Sequence, residues 1–141
     1  MKKIGMLCFM LLLLLLPLPF AEAGHYHNGL FFYDDAYNYL RITHYSGSGV
    51  ADFADLTSAT KVQTNDSDMI FVACAYEWSK SNPVLKAKGY FYVWKKPNGT
   101  FFIKREDSAD YTGDYYRLPE AFAREAQYIE ACAYRNMRNR N

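Results

Sequence analysis

Apolar residues divide the chain into a leader, a run of strand-like segments and a final helical segment. Residues 4–16 form an unbroken apolar stretch that two lysines precede and two prolines soon follow. Ala21-Glu22-Ala23 then fits the small-x-small rule of a signal-peptidase site. The stretch is shorter than the ~18 residues that a membrane-spanning helix needs. The pattern therefore predicts a cleaved signal peptide over 1–23, no membrane span after cleavage, and a single domain over 24–141.

Strand-like segments recur between polar or glycine-containing breaks in the first three quarters of the chain. They are rich in tyrosine, phenylalanine and β-branched residues, which favour strands. The predicted strands are 29–33, 37–45, 69–78, 88–94 and 100–106. Residues 50–62 are ambiguous and are predicted to form a short helical turn followed by an extended piece. Asn98-Gly99 lies between two strand-like runs, which predicts a hairpin.

The hydrophobic period changes to that of a helix over residues 118–138. Pro119 suits the first turn of a helix, where its missing N–H costs nothing. An apolar stripe at helical spacing follows, made of Phe122, Ala126, Ile129 and Ala133. This order of segments predicts an α+β fold, with an antiparallel sheet of four to six strands and a C-terminal helix packed on one face.

Two cysteines lie outside the leader, Cys74 and Cys132. An even pair in a small exported domain predicts one disulfide bond. Cys74 alternates with Val72 and Tyr76 on one face of the central strand. If the helix packs on that face, Cys132 can reach Cys74, and the disulfide would join helix to sheet. Closing a loop of this length stabilises a chain by about 3–5 kcal/mol.

The balance of charge argues against a nucleic-acid partner. The chain has 16 basic and 15 acidic residues, and removal of the leader leaves 14 of each. Nucleic-acid binders show a clear basic excess or a basic stripe. Residues 135–141 carry three arginines and are predicted to form a solvated basic tail.

Histidines near the cleavage site raise the question of a terminal metal site. A copper or nickel site of that kind needs histidine at the third position, whereas cleavage after Ala23 places His25 second and His27 fourth. Cleavage one residue earlier or later would restore a metal-binding register. We also expect the two side chains to point in opposite directions. The sequence therefore predicts no metal and no other cofactor.

The acidic loop 107–117 does not fit a calcium-binding pattern. An EF-hand loop beginning at Asp107 would need oxygen ligands at the third and fifth positions, which here are Ala109 and Tyr111. A looser calcium site stays open as an alternative.

No residue pattern predicts catalysis. Asp34 and Asp35 are adjacent, whereas general acid–base catalysis needs two groups that converge on one substrate atom. The nucleophile elbow of hydrolases and the phosphate-binding glycine loop do not occur. We therefore expect a protein that is not an enzyme. A small periplasmic hydrolase, in which an aspartate meets His44, is the alternative.

Aromatic residues are dense, with thirteen tyrosines and ten phenylalanines. In segment 88–94, alternate aromatic side chains share one face, while Phe91 and Val93 share the other. One face must meet the core, so the second is expected to be partly exposed, and exposed aromatic clusters can mark recognition surfaces. The predicted ligand-binding residues are Tyr90, Tyr92, Trp94, Tyr115, Tyr116 and Arg117. The alternative is that these tyrosines only pack the sheet.

Three segments resemble small exported bacterial proteins of the surface-adhesin protein E type. They are ADLTSATKV (54–62), MIFVACAYEW (69–78) and GYFYVWKKPNGTFFI (89–103). The resemblance implies an antiparallel sheet with a helix against it, and a non-enzymatic binder of protein ligands at the surface or in the periplasm. We therefore expect a secreted or periplasmic binding protein. An inhibitor of a secreted hydrolase, acting through loop 107–117, is a further alternative, and the oligomeric state is left open.

Overall fold

A computed structural model describes residues 24–42, 49–63, 69–107, 116–117 and 123–141. Eight strands form one sheet in which each strand is antiparallel to the next and the spatial order follows the chain. The strands are β1 (His25–His27), β2 (Leu30–Phe32), β3 (Tyr39–Arg41), β4 (Val50–Gln63), β5 (Met69–Ser79), β6 (Lys86–Lys95), β7 (Phe101–Glu106) and β8 (Tyr116–Arg117), followed by the helix α1 (Ala123–Arg140). The predicted α+β class, with an antiparallel sheet and a C-terminal helix, is confirmed. The predicted signal peptide lies outside the described residues.

The sheet has eight strands rather than the four to six predicted. Part of the difference is at the amino-terminal end, where Asn28 and Gly29 both have positive φ, 51° and 77°. Two successive residues of positive φ make the tight hairpin turn that matches strand twist. This turn folds β1 onto β2. At the other end, the two residues of β8 pair with β7.

Residues 50–62, which were ambiguous in sequence, lie within the 14-residue strand β4. The pairing of β4 with β5 shifts between Asp55 and Thr60, so residues 56–59 bulge opposite Ala73. Ser58 fills the bulge, because its hydroxyl donates to the Asp55 carbonyl at 2.6 Å and accepts from the Cys74 amide at 2.8 Å. The bulge interrupts the alternation of side chains, which is why the segment fits no single period.

Helix α1 packs mainly on β4. Much of the contact is made by small residues, which let the helix backbone approach the sheet closely. The alanines in this core are Ala54, Ala59, Ala73, Ala75, Ala126 and Ala133. Ile129 is fully buried between them. The predicted stripe is thus confirmed at 126, 129 and 133, while Phe122 and Pro119 lie outside the described residues. No helix in the described ranges is long and apolar enough to cross a membrane.

The predicted disulfide is wrong, because both Cys74 and Cys132 are free thiols. Cys132 is buried in the core between helix and sheet, together with Ala73 and Ala75. Side chains alternate along a strand, so Cys74, which lies between these two alanines, points to the opposite face of the sheet. The condition for the disulfide, that the helix packs on the face of Cys74, is therefore not met: α1 packs on the face of β5 that carries Phe71, Ala73 and Ala75.

Candidate functional site

The face of the sheet that points away from α1, here called the open face, carries a row of side chains across five strands. Residues that are paired directly across antiparallel strands share a face. The register pairs each member with the next, in the order Tyr39, Asp55, Cys74, Tyr90 and Glu106. Since Cys74 points away from the helix, the whole row lies on the open face. It places two phenols, two carboxylates and a thiol in one line.

Two further rows of the open face run through the aromatic hairpin of β6 and β7. In one row, the Lys104 ammonium lies 5.4 Å from the ring centre of Tyr92, which is its direct pairing partner. In the other, the rings of Trp94 and Phe102 are 5.4 Å apart, and the Lys96 ammonium lies within about 5 Å of both ring centres (5.1 and 4.8 Å). Cations over aromatic faces are stabilised by the ring quadrupole. The hairpin therefore carries both aromatic surface and positive charge.

The structure places the predicted binding residues in different surroundings. Tyr90 and Trp94 are half-buried on the open face, as predicted, with Phe91 and Val93 on the helix side. Tyr92 shares their face but is only 2% exposed, so it packs the sheet rather than presenting a surface. The backbone of Tyr116 and Arg117 forms β8 against Ile103 and Phe102. Tyr115 and most of loop 107–117 lie outside the described residues.

A second aromatic cluster of the open face lies over β2 to β5. Phe31, Phe53 and Trp78 form its buried part. Tyr39 and Tyr76 pack against it, with ring centres 5.3 Å apart. Burial, and then the nearby carboxylate of Asp55, raise the pKa of the Tyr39 phenol. This phenol therefore stays neutral, as a hydrogen-bond donor, at any physiological pH.

The edge of this cluster is exposed. Tyr26 of β1 is 68% exposed, and its ring lies 5.1 Å from that of Phe31. Arg41 donates a hydrogen bond to the Tyr26 hydroxyl at 3.1 Å, and its guanidinium lies 4.2 Å from the centre of the Phe31 ring. The outer end of the open face thus combines a phenol, a planar cation and an aromatic ring, which are the side chains enriched at protein interfaces.

A cluster of charges lies on the helix side of the sheet. Asp52 and Glu77 are direct cross-strand partners, and like charges in that position repel each other. Arg105 bridges them, with its Nη1 atom 2.9 Å from Asp52 Oδ1 and 3.8 Å from Glu77 Oε2, while Lys88 lies 3.7 Å from Glu77. Burial raises the pKa of Asp52, and Arg105 opposes that shift. The sequence did not indicate this cluster because its members come together only through the register of four strands.

The acidic residues Asp34 and Asp35 do not form a catalytic pair. Asp34 accepts hydrogen bonds from the amides of Asn38 and Tyr39 at 2.9 and 3.0 Å, so it closes the turn between β2 and β3. Asp35 instead lies 3.6 Å from the imidazole of His25. His44, on which the hydrolase alternative depends, lies outside the described residues.

The expectation that His25 and His27 point in opposite directions is wrong. Residues two apart in a strand share a face, and both imidazoles contact the ring of Tyr37, at 5.3 and 4.5 Å between ring centres. Within the described ranges, however, no three histidine, cysteine, aspartate or glutamate side chains are gathered as a ready-made metal cage. Most of loop 107–117, to which the calcium alternative refers, lies outside those ranges.

Comparisons of the chain with protein-family models, with curated proteins and with solved structures find no match.

Proposed function

We propose that this chain is an exported, non-enzymatic binding protein of the bacterial envelope or surface, which recognises a protein ligand through the open face of its sheet. The leader-like segment 1–23 and its small-x-small motif support export to the periplasm or the medium. The resemblance to surface-adhesin protein E points to the same class of function. We expect no enzymatic activity.

The observation that carries the proposal is the set of half-buried tyrosines on the open face. Tyr39, Tyr76 and Tyr90 lie on the side of the sheet that α1 does not cover. Tyrosine offers a large, rigid contact area and a polar hydroxyl, and it loses little conformational entropy on binding. Tyrosine and arginine are also the residues that most often dominate binding energy at interfaces.

The burial pattern assigns different tasks to neighbouring residues of the aromatic hairpin. Tyr92 and Lys104 are 2% and 3% exposed, so we assign them to holding the sheet surface in shape. Tyr90 and Trp94 are half-buried and in reach of a partner, so we assign them to the contact. Tyr115, Tyr116 and Arg117 would add to its rim. Charged groups beside the aromatics, such as Lys96, would favour a ligand that also carries carboxylates.

A site-specific photo-crosslinker tests the proposal. An aromatic crosslinking residue is introduced at Tyr90 in one variant and at Tyr134 in the other, and cells that export the protein are irradiated. Tyr134 is the matched control, because it is also a half-buried tyrosine but packs from the helix against Phe71. Crosslinks to one discrete protein from position 90, and none from position 134, are expected.

Two outcomes would contradict the proposed surface. One is equal crosslinking from both positions, and the other is discrete crosslinking from position 134 alone. Tyr76→Ser in the position-90 variant should weaken the crosslink while circular dichroism stays unchanged. Amino-terminal sequencing of the exported protein checks the leader separately, and the expected first residue is Gly24. If the captured protein is a secreted hydrolase, an inhibition assay then distinguishes an inhibitor from an adhesin.

A further inference from the structure

The two histidines of β1 are held on one side of an edge strand. Directly across the ladder, His25 pairs with Phe32 and His27 with Leu30, and both partners belong to the core under α1. The Asn28-Gly29 turn fixes this register, because a two-residue hairpin loop determines which residues of the two strands are paired. The imidazoles therefore extend the helix-side face of the sheet at its edge.

The ring of Tyr37 packs against both imidazoles. Its φ is +58°, a backbone conformation that is rare for a bulky side chain. The amide of Tyr37 donates to the Asp34 carbonyl at 3.2 Å, and its ring contacts Phe32 as well as the two histidines. Strained residues of this kind gather at ligand sites, where the surrounding structure holds them in place. Here the strained residue sets the position of a histidine pair.

The pair has the spacing of a chelate. Residues two apart along a strand are separated by roughly 7 Å, and each imidazole nitrogen lies about 2 Å from a bound metal, so rotation of the two side chains brings both to one ion. Copper, nickel and zinc ions favour imidazole ligands. Asp35 lies 3.6 Å from Nδ1 of His25, which is the arrangement that orients a metal-bound histidine and leaves its Nε2 atom for the ion.

We propose that His25 and His27 bind one divalent copper, nickel or zinc ion, with Asp35 as a positioning residue and water molecules in the remaining coordination positions. At His27 the ion competes with Asn28, whose side-chain nitrogen lies 3.2 Å from the Nε2 atom. Arg124 donates to the Asn28 carbonyl at 2.6 Å, and its positive charge disfavours a high charge at the site. The proposal is independent of the proposed function of the open face.

Isothermal titration calorimetry, in which zinc chloride is added to the full-length chain, tests the site. One ion per chain is expected, and His25→Ala or His27→Ala should each weaken binding by at least about tenfold, because loss of a direct ligand costs no less than loss of an outer-shell partner. His44→Ala is the matched control and should leave the affinity unchanged. Asn28→Gly keeps a residue that accepts positive φ but removes the competing amide, so it should strengthen binding.

A second measurement separates chelation from a merely structural role of the histidines. The electron paramagnetic resonance spectrum of the copper(II)-loaded protein should show two equivalent imidazole nitrogens, and each single alanine variant should show one fewer. Asp35→Asn should weaken binding by less than a histidine variant and keep both nitrogens. Wild-type affinity and spectrum in the His25→Ala/His27→Ala double variant would overturn the proposal, as would loss of binding in His44→Ala.

Discussion

The side-chain amide of Asn136 donates to the carbonyl of Leu56 at 2.8 Å, and so joins α1 to the bulge of β4. The same nitrogen also lies 3.0 Å from the carbonyl of Ala59, at the other end of the bulge. A bulge disrupts the hydrogen-bond ladder locally, and Asn136 provides donors for the groups that the ladder does not satisfy. One residue of the helix thus fixes the shape of the longest strand.

Asn136→Ala should lower the free energy of unfolding by about 1–3 kcal/mol, because it leaves partly buried carbonyls without their donor. Urea denaturation gives this value directly. Asn139→Ala is the control: this residue is exposed on the same helix, and its replacement should change stability by less than about 0.5 kcal/mol. Equal effects of the two substitutions would show that Asn136 does not hold the bulge.

The charge cluster on the helix side predicts a specific pH dependence. Burial raises the pKa of Asp52 in the folded protein, whereas an unfolded aspartate has a pKa of about 3.9. The stability contributed by this shift is present below about pH 3.9 and is lost as the pH rises through the folded pKa. Asp52→Asn removes that loss, so the variant should gain stability relative to the wild type between pH 3 and pH 7. The measurement is the free energy of unfolding of the two proteins as a function of pH. If the two curves are parallel, the pKa of Asp52 is not raised by folding.

Removing the positive partner of the cluster should have the opposite effect. Arg105→Met leaves the carboxylates of Asp52 and Glu77 facing each other across the strands without the cation that bridges them. At pH 7 the variant should therefore be less stable than the wild type in thermal unfolding. In the double variant with Asp52→Asn the loss should be smaller, because one of the two charges is gone. If the stability changes of the two single variants simply add up in the double variant, the two residues are not coupled.

Cys74 and Cys132 should both be free thiols in the folded protein, and they should react at different rates. Burial raises the pKa of Cys132 even though Arg135 opposes the shift, so only a small fraction of this thiol is ionised near pH 8. Because the thiolate is the reactive form, iodoacetamide should modify Cys74 well before Cys132. The time course is followed by mass spectrometry, and Cys132→Ala should remove the slow phase. If the molecular mass of the unreduced protein is lower by two hydrogens than that of the reduced protein, a disulfide bond is present and this prediction is wrong.

Gly89 and Gly99 form a matched pair for testing backbone crowding. Both have positive φ, 100° and 83°, so a side chain at either position costs about 1–2 kcal/mol of backbone strain. A Cβ atom at Gly89 would in addition collide with the Glu106 carbonyl, while one at Gly99 would meet nothing within 4 Å. Gly89→Ala should therefore destabilise the protein by at least about 1 kcal/mol more than Gly99→Ala. Thermal denaturation of the two variants checks the difference.

Much of the fold could be predicted from the sequence, because aromatic runs and helical periodicity are local signals. Strands β5, β6 and β7 and helix α1 lie within a few residues of their predicted positions. Strand β1 was missed although Asn28-Gly29 is the same dipeptide that predicted the hairpin at 98–99, since β1 is short and two of its three residues are histidines. The course of β4 could not be predicted, because the bulge depends on contacts of Ser58 and Asn136 with distant residues.

The candidate site was only partly predictable. Alternation along β6 placed Tyr90 and Trp94 on one face, and that placement is correct. Whether a residue on that face is buried depends on neighbouring strands, so the burial of Tyr92 was not foreseen. The sequence left open which side of β5 meets α1. In the structure the helix packs on the side that carries Ala73 and Ala75, where small side chains allow a close approach.

The contact between Arg124 and the Asn28 carbonyl joins residues that are 96 positions apart in the chain. The helix therefore docks on the sheet only after all the strands have been synthesised. Each strand can pair with its predecessor as soon as it leaves the ribosome or a translocation pore, since the sheet follows the chain. The apolar side of β4, however, is covered only when the residues of α1 (Ala123–Arg140) emerge. The nascent protein therefore carries an uncovered apolar surface until α1 has been synthesised. A chaperone that engages that surface would act during this interval.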